Sequence, residues 1–492
     1  MEKRKMLFGA ALISAFSFGC KGLGMLFRLY LTSRMGAEGI GLYQLIMSVY
    51  ALFTSLASAG FTVCVSRLAA EDWQIRGRGG AVSTTRTAMR IALLSGLFSA
   101  FLLLALSFPI SASVAGEGKT LHALRILAFS MPFISLSSCL KGYFMASRLA
   151  AVPASAQLFE ELCKISIIFF VLTFALGRTT DNGVLCAGIA FGLSAGEMLS
   201  FAYLRAFFRP GKTHTAVQSV SGRILGTLFP LAAANWLTSA LHAAENVLIP
   251  FCFSLYSNSG NALAEFGVVR GMAIPVLFFP FAFVSAFISM LTPEISRLNA
   301  ADIPARDAAV GRALRLTSVV SVAAGALMFF YAKEISVCFY RTGQAAHAVR
   351  MLSAVTPFMY IETVSDGLLK SIGEQNFCMR VTVVNCAFRV AAVFAFIPFT
   401  GAEGYLWLLA VSNTFSCLMC AGRLMRICRV RGLLTHFVFP LAASAVSGAL
   451  SLFVCRTSAT VARLCAGASV MLAAFLLICL PVLIKNAHRK PV

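Results

Sequence analysis

The sequence predicts an all-α, polytopic membrane protein: two six-helix lobes in a parallel pseudo-repeat, followed by two extra C-terminal helices. Three observations predict it. The 492 residues are 59% hydrophobic and only 12% charged, with a mean hydropathy of +0.84, whereas a soluble domain carries about 25% charged residues. Apolar runs of about 20 residues recur along the whole chain, each long enough to cross a ~30 Å hydrocarbon core, and the length allows about 14 of them. The runs are continuous rather than alternating, which excludes the strands of a membrane β-barrel.

The expected spans, in order, are 6–33, 41–66, 85–110, 121–146, 153–176, 183–206, 223–250, 266–293, 311–332, 345–370, 376–398, 403–424, 434–455 and 461–484. With the N-terminus inside, basic residues such as Lys3, Arg4, Lys5, Arg67, Arg76, Arg78, Arg209, Lys212, Arg426 and Arg429 collect on one side. Few, among them Arg34, Lys119, Arg178, Lys333 and Arg456, fall on the other. This bias puts both termini in the cytoplasm. The polar stretch 207–222, with Pro210, Gly211 and Lys212, reads as a cytoplasmic linker between 1–206 and 223–431, leaving 432–492 for the last two spans and a tail. Ser66-Arg67-Leu68-Ala69-Ala70 and Ser296-Arg297-Leu298-Asn299-Ala300 follow spans two and eight, as a parallel repeat requires.

Polar side chains on membrane helices mark faces turned away from lipid. Ser14, Ser17, Lys21, Gly24 and Arg28 recur at steps of three and four in span one. Gln44, Ser48, Ser55, Ser58 and Thr62 do so in span two; Asn235, Ser239, His242, Glu245 and Asn246 in span seven. Span eight carries Arg270, Ser285, Ser289 and Thr292, with Pro275 and Pro280 allowing a bend. Small polar residues also serve tight helix packing. A mid-membrane Lys or Arg, at about 2.5–3.5 kcal/mol each, needs water or a partner. Lys21, Arg28 and Arg270 thus predict a basic cavity, and Arg forks suit phosphate oxygens. Among the acids, Glu160 and Lys164 are spaced for a local ion pair. Glu362, Asp366 and Lys370 share a face of span ten, so Glu362 and Asp366 are either a partner-neutralised stripe or, with Glu245, a candidate cation site.

No GxxxxGK[ST] phosphate loop occurs, and His122, His214, His242, His347, His436 and His488 are not at metal spacing. Cys417 and Cys420 read as buried thiols within a span. No enzyme, metal site or cofactor is expected, and no basic domain exists to bind nucleic acid.

The stretch FRLYLTSRMGAEGIGLYQLIMSVYALFTSLASAGFTVCVSRLAAE around Arg28, GYFMASRLAAVPASAQLFEELCKI (142–165) and ENVLIPFCFSLYSNSGNALAEFGVVRGMAIPVLFFPFAFVSAFISMLTPEIS (245–296) resemble the stage V sporulation protein B family of polysaccharide flippases. That family belongs to the multidrug/oligosaccharidyl-lipid/polysaccharide exporter superfamily and is related to the lipid II flippase MurJ. The resemblance implies a bacterial plasma-membrane flippase that moves an undecaprenyl-diphosphate-linked sugar by alternating access, coupled to Na+, H+ or membrane potential. It implies a diphosphate held by Lys21, Arg28, Arg67 and Arg270; the polar stripes themselves offer Ser17, Gln44, Ser48, Asn235, His242 and Glu245 as cavity-lining residues. The chain departs from the family pattern with Phe251 and Cys252 after Pro250, Glu161 where Gln is expected and Lys164 where Arg is expected. A cation-coupled multidrug exporter of the same superfamily, and a non-transporting cell-wall scaffold, are the rival readings.

Overall fold

The computed structural model describes residues 2–58, 60–114, 118–177, 179–209, 220–256, 262–428, 433–454 and 460–487. The side chains before Gly19, and that of Lys21, lie outside the description, as does most of the expected 207–222 linker. Among the described residues there is no strand. The helices are α1 (Glu2–Ser58), α2 (Phe61–Val114), α3 (Leu121–Ala128), α4 (Met131–Ala146), α5 (Ala151–Phe170), α6 (Asn182–Phe207), α7 (Val220–Tyr256), α8 (Ala262–Phe266), α9 (Ile274–Phe278), α10 (Phe281–Ala301), α11 (Ile303–Phe330), α12 (Ala332–Tyr340), α13 (Ala346–Ser353), α14 (Thr356–Ile372), α15 (Gln375–Ile427), α16 (Leu433–Val454) and α17 (Thr460–Ala487). In lipid every backbone polar group must be bonded within the segment, which is why an apolar chain becomes helices. The longest helices turn at glycines with positive φ: Gly36 in α1, Gly77 in α2 and Gly401 in α15. A side chain there would strain the backbone.

The chain forms a multi-pass membrane protein. α6, α11 and α15 contain stretches long and apolar enough to cross a bilayer, and α3 with α4 forms a further candidate span bent by 42°. Large apolar side chains such as Phe98, Phe101, Phe108, Phe394, Phe396 and Phe399 are exposed. A soluble surface would not tolerate so many; lipid solvates them.

Two compact units are present, one built from 1–251 with 261–264, the other from 252–260 with 265–492. In the first, one core gathers Leu31, Ile40, Phe53, Leu103, Leu124, Met131 and Ile189. A second gathers Phe61, Cys64, Leu68, Cys139, Tyr143 and Leu204, with Ile224 of α7 sealed into it. Through Gly188, Gly192 and Gly196, α6 meets α5 and the π-helical stretch Val171–Ala175, with Leu176, that follows it. An added Cβ at these positions would lie 2.8 Å from Leu176 Cδ1, 2.3 Å from Ile168 Cγ1 and 3.0 Å from Lys164 Cβ, respectively. This is the small-xxx-small stripe that lets membrane helices approach closely. In the second unit, Phe281, Leu314, Tyr360, Val364 and Leu368 form the main core, and Phe475 of α17 packs with Ala443 of α16.

Both units contain the same helix pair. An eight-residue helix, a short break and a longer helix with Pro in its first turn occur as α3–α4 and again as α13–α14. The residues match as well: His122, Arg125, Pro132 and Phe133 correspond at one constant offset to His347, Arg350, Pro357 and Phe358.

Four expectations about local structure need correction. Span two is not one helix: it stops at Ser58 and restarts at Phe61, with Gly60 at φ +82°. The restart changes the helical phase, so Thr62 leaves the stripe of Gln44 and Ser48 and instead donates to Ser138 O at 3.1 Å. Span eight bends at Phe279 and Pro280, as its proline allows, but it opens not as an α-helix but as a π-helix over Gly267–Ala273. Span ten is α13 and α14, separated at Ala354 and Val355. Finally, Lys164 Nζ pairs with Glu161 at 2.5 Å rather than with Glu160, which faces Lys141 of α4 at 4.0 Å.

Candidate functional site

In the first unit, α7 and the second half of α1 (37–58) enclose a polar pocket of about 240 Å³. Gln44 and Ser48 come from α1; Ser239, His242 and Asn246 come from α7. Each set recurs at helical steps, so each helix presents one polar face. The pocket is internally organised. Asn246 Nδ2 donates to Ser48 Oγ at 2.9 Å, Ser48 Oγ donates to Gln44 O at 2.8 Å, and Trp236 Nε1, lower on α7, donates to Ser55 O at 3.1 Å. His242 Nδ1 lies 3.7 Å from Glu245 Oε2, and that carboxylate is fully buried. The structure thus brings together three of the expected cavity residues, Gln44, Ser48 and His242, with Glu245 behind the imidazole. Asn235 is exposed on α7, outside this pocket. At Ser17 and Lys21 the backbone is helical and the side chains fall outside the described residues.

The cations fall in different settings. Arg28 is half-buried on the α1 face that also carries Cys20 and Gly24. That face is turned to α5: a Cβ at Gly24 would lie 3.7 Å from Glu161 Oε1. Around this point Lys141 of α4, Glu160, Glu161 and Lys164 of α5 and Glu197 of α6 interact electrostatically. A mixed-charge cluster therefore sits inside the first unit, and Gly196 makes room for it by letting α6 touch Lys164. Spacing along the sequence could not reveal it, because its members come from three helices; the Gly188/Gly192/Gly196 repeat was the available signal. Arg34 has a different task. Its guanidinium donates to Leu176 O at 3.1 Å and Gly177 O at 2.5 Å, capping the π-helical stretch Val171–Ala175 that follows α5.

Arg67 is 72% exposed and pairs with Glu71 at 3.2 Å. In the second unit, the Arg270 guanidinium lies on the π-helix, 5.9 Å from the centre of the buried Tyr405 ring, a cation–π distance. Glu362 and Asp366 share one face of α14. Asp366 is 2.5 Å from Lys370, and Glu362 interacts with Asp366, Lys370 and Arg389 of α15. Among the described residues no group of three or more His, Cys, Asp or Glu side chains is arranged to hold a metal ion.

Comparison with known proteins places this architecture. Stage V sporulation protein B of Bacillus subtilis (strain 168) is 22% identical over 474 residues, covering 92% of this chain and 89% of that protein. A solved structure of the lipid II flippase MurJ in an inward closed conformation superposes with a TM-score of 0.74 at 14% identity, covering 97% of this chain and all of that one. An inward-facing multidrug resistance MATE family transporter of the MOP superfamily gives 0.67 at 13% identity, over 86% of this chain and all of that one. The fold is that of the MOP superfamily. A family model described as polysaccharide biosynthesis protein matches residues 7–298, and the chain belongs to that family.

Proposed function

We propose that the protein is a flippase. It moves an undecaprenyl-diphosphate-linked oligosaccharide or peptidoglycan precursor across the bacterial plasma membrane by alternating access, through 14 spans with both termini in the cytoplasm. The observation that carries this reading is the polar pocket of Gln44, Ser48, Ser239, His242 and Asn246. Amides and hydroxyls on membrane helices are costly beside lipid, and their hydrogen-bonding groups match those of a sugar. Lys21, Arg28, Arg67 and Arg270 are the proposed diphosphate contacts, because guanidinium and ammonium groups complement phosphoryl oxygens. The lipid tail stays in the bilayer. Family membership and the relatives' activities support the same reading.

Coupling to Na+, H+ or membrane potential is part of this proposal, and no cofactor or catalytic group enters it. A cation-coupled drug exporter is the alternative that the MATE-like fold keeps open. Its cationic substrates favour acidic rather than basic lining. The test is the exposure of lipid II at the outer surface of cells depleted of their own flippase and supplied with this chain. Restored exposure supports the proposal; exposure that stays lost while the protein is present in the membrane contradicts it.

A further inference from the structure

The segment 61–76 of α2 and the start of α7 meet at a charged cluster. Arg67 Nε lies 3.2 Å from Glu71 Oε1, and Arg223 Nη2 lies 2.9 Å from Glu71 Oε2. One carboxylate is held between two guanidinium groups from two helices, one on each oxygen. Arg223 has a second anchor, its Nη1 lying 3.5 Å from Asp72 Oδ1. Asp72 is 2% exposed and accepts a hydrogen bond from Thr84 Oγ1. Ile224, next to Arg223, is fully buried, and Cys64 Sγ donates to its carbonyl at 3.7 Å. The backbone beside Arg223 is therefore anchored in the core, and Asp72 gives its guanidinium a second, buried acceptor besides Glu71.

Glu71 itself is different. It is 42% exposed, and so is Arg223. Exposed ion pairs are weakly held. Arg76 and Arg78 follow Glu71 on the same helix, both exposed, and Arg78 Nη2 donates to Arg209 O at 3.0 Å. Two guanidinium groups spanning one solvent-reachable acid suit an anion with more charge and more oxygens than a carboxylate.

We propose that Glu71 is a placeholder for a diphosphate group, which displaces it from Arg67 and Arg223. Arg223 is then a further diphosphate-binding residue, and arrival of the anion releases α7 from Glu71 while the Asp72 tether remains. This rests on the reading of Arg67 as a diphosphate contact.

The test is binding of farnesyl diphosphate to the purified full chain, with inorganic pyrophosphate and farnesyl monophosphate as comparison probes. Glu71→Gln removes the competitor and should tighten farnesyl diphosphate binding about threefold or more, while Arg223→Ala should weaken it about tenfold, the scale of one lost charge-assisted fork. In the double variant the Glu71→Gln gain should vanish. Arg223→Lys, which keeps the charge and the link to Asp72, should fold normally yet bind diphosphate more weakly than the parent. Pyrophosphate binding as tightly as farnesyl diphosphate identifies the head group alone as the ligand; tighter farnesyl diphosphate identifies the lipid-linked form. Affinities within twofold of the parent in Glu71→Gln and Arg223→Lys, both folded, would overturn the proposal. If transport still depended on Arg28 and Arg270 in that case, the flippase reading would stand without it. The expected affinity shifts in a protein that moves no lipid would leave this site standing and remove the flippase reading.

Discussion

Replacing Gly192 with Ala tests the helix contact that shapes the first unit. A Cβ at 192 would stand 2.3 Å from Ile168 Cγ1 and 3.2 Å from Ile168 N, where carbon contacts normally settle at about 3.5–4.0 Å. Ile168 is fully buried, and its β-branched side chain has few rotamers to escape into. α6 must therefore shift away from α5. Inserting a methyl into packed structure costs about 1–3 kcal/mol, against about 0.5–1 kcal/mol regained by replacing glycine in a helix. The net expectation is a loss of about 1–2 kcal/mol. Gly422→Ala is the control, since nothing lies within 4 Å of its added Cβ; it should be neutral or slightly stabilising. The assay is a thermal ramp of detergent-purified protein with a thiol-reactive fluorophore, which reports unfolding through buried thiols such as Cys139 and Cys186. The Gly192 variant should melt several degrees below the parent. A midpoint at or above that of Gly422→Ala would refute the argument.

Other expectations follow from single contacts. Asp72→Ala leaves Thr84 and Arg223 without their shared acceptor and should lower stability by about 1–3 kcal/mol in the same ramp. Asn246→Ala removes the bond to Ser48 Oγ; it should cost about 1 kcal/mol and slow lipid transport, and unchanged transport would remove Asn246 from the pocket's role. Asp366→Asn and Glu362→Gln should leave any sodium or proton dependence unchanged, because Lys370 and Arg389 already face these acids; lost dependence in either variant would make them part of a cation site with Glu245. Cysteines placed near 76, 212 and 429 should label from the cytoplasm and one near 257 from outside; the same side for 76 and 257 would sink the topology.

Helix type was legible from hydropathy, because an apolar run of span length has few alternatives to a helix in lipid. Where each helix breaks was less so. Gly60 lies inside a continuous apolar run, and only its positive φ splits span two. Pro280, by contrast, did announce the break before α10. The face of α7 was readable from the spacing of Ser239, His242 and Asn246, since a single helix fixes their geometry. The cluster of Lys141, Glu160, Glu161, Lys164 and Glu197 was not, because it depends on which helices touch. The same holds for Arg223: nothing along the chain says that it meets Glu71 and Asp72. The repeat of His122, Arg125 and Pro132 as His347, Arg350 and Pro357 was present in the sequence and is a stronger mark of duplication than Ser66–Ala70 and Ser296–Ala300, since it covers a whole bent helix pair.

The central claim is that cations on membrane helices hold the diphosphate of a lipid-linked sugar. The most direct measurement is the rate at which purified protein in liposomes moves such a lipid from one leaflet to the other, comparing the parent with Arg28→Ala, Arg270→Ala and their Lys counterparts. The account predicts transport by the parent and none by either Ala variant at equal reconstitution. The Lys variants should keep partial activity, because they retain the charge without the bidentate fork. Full transport by both Ala variants would contradict it.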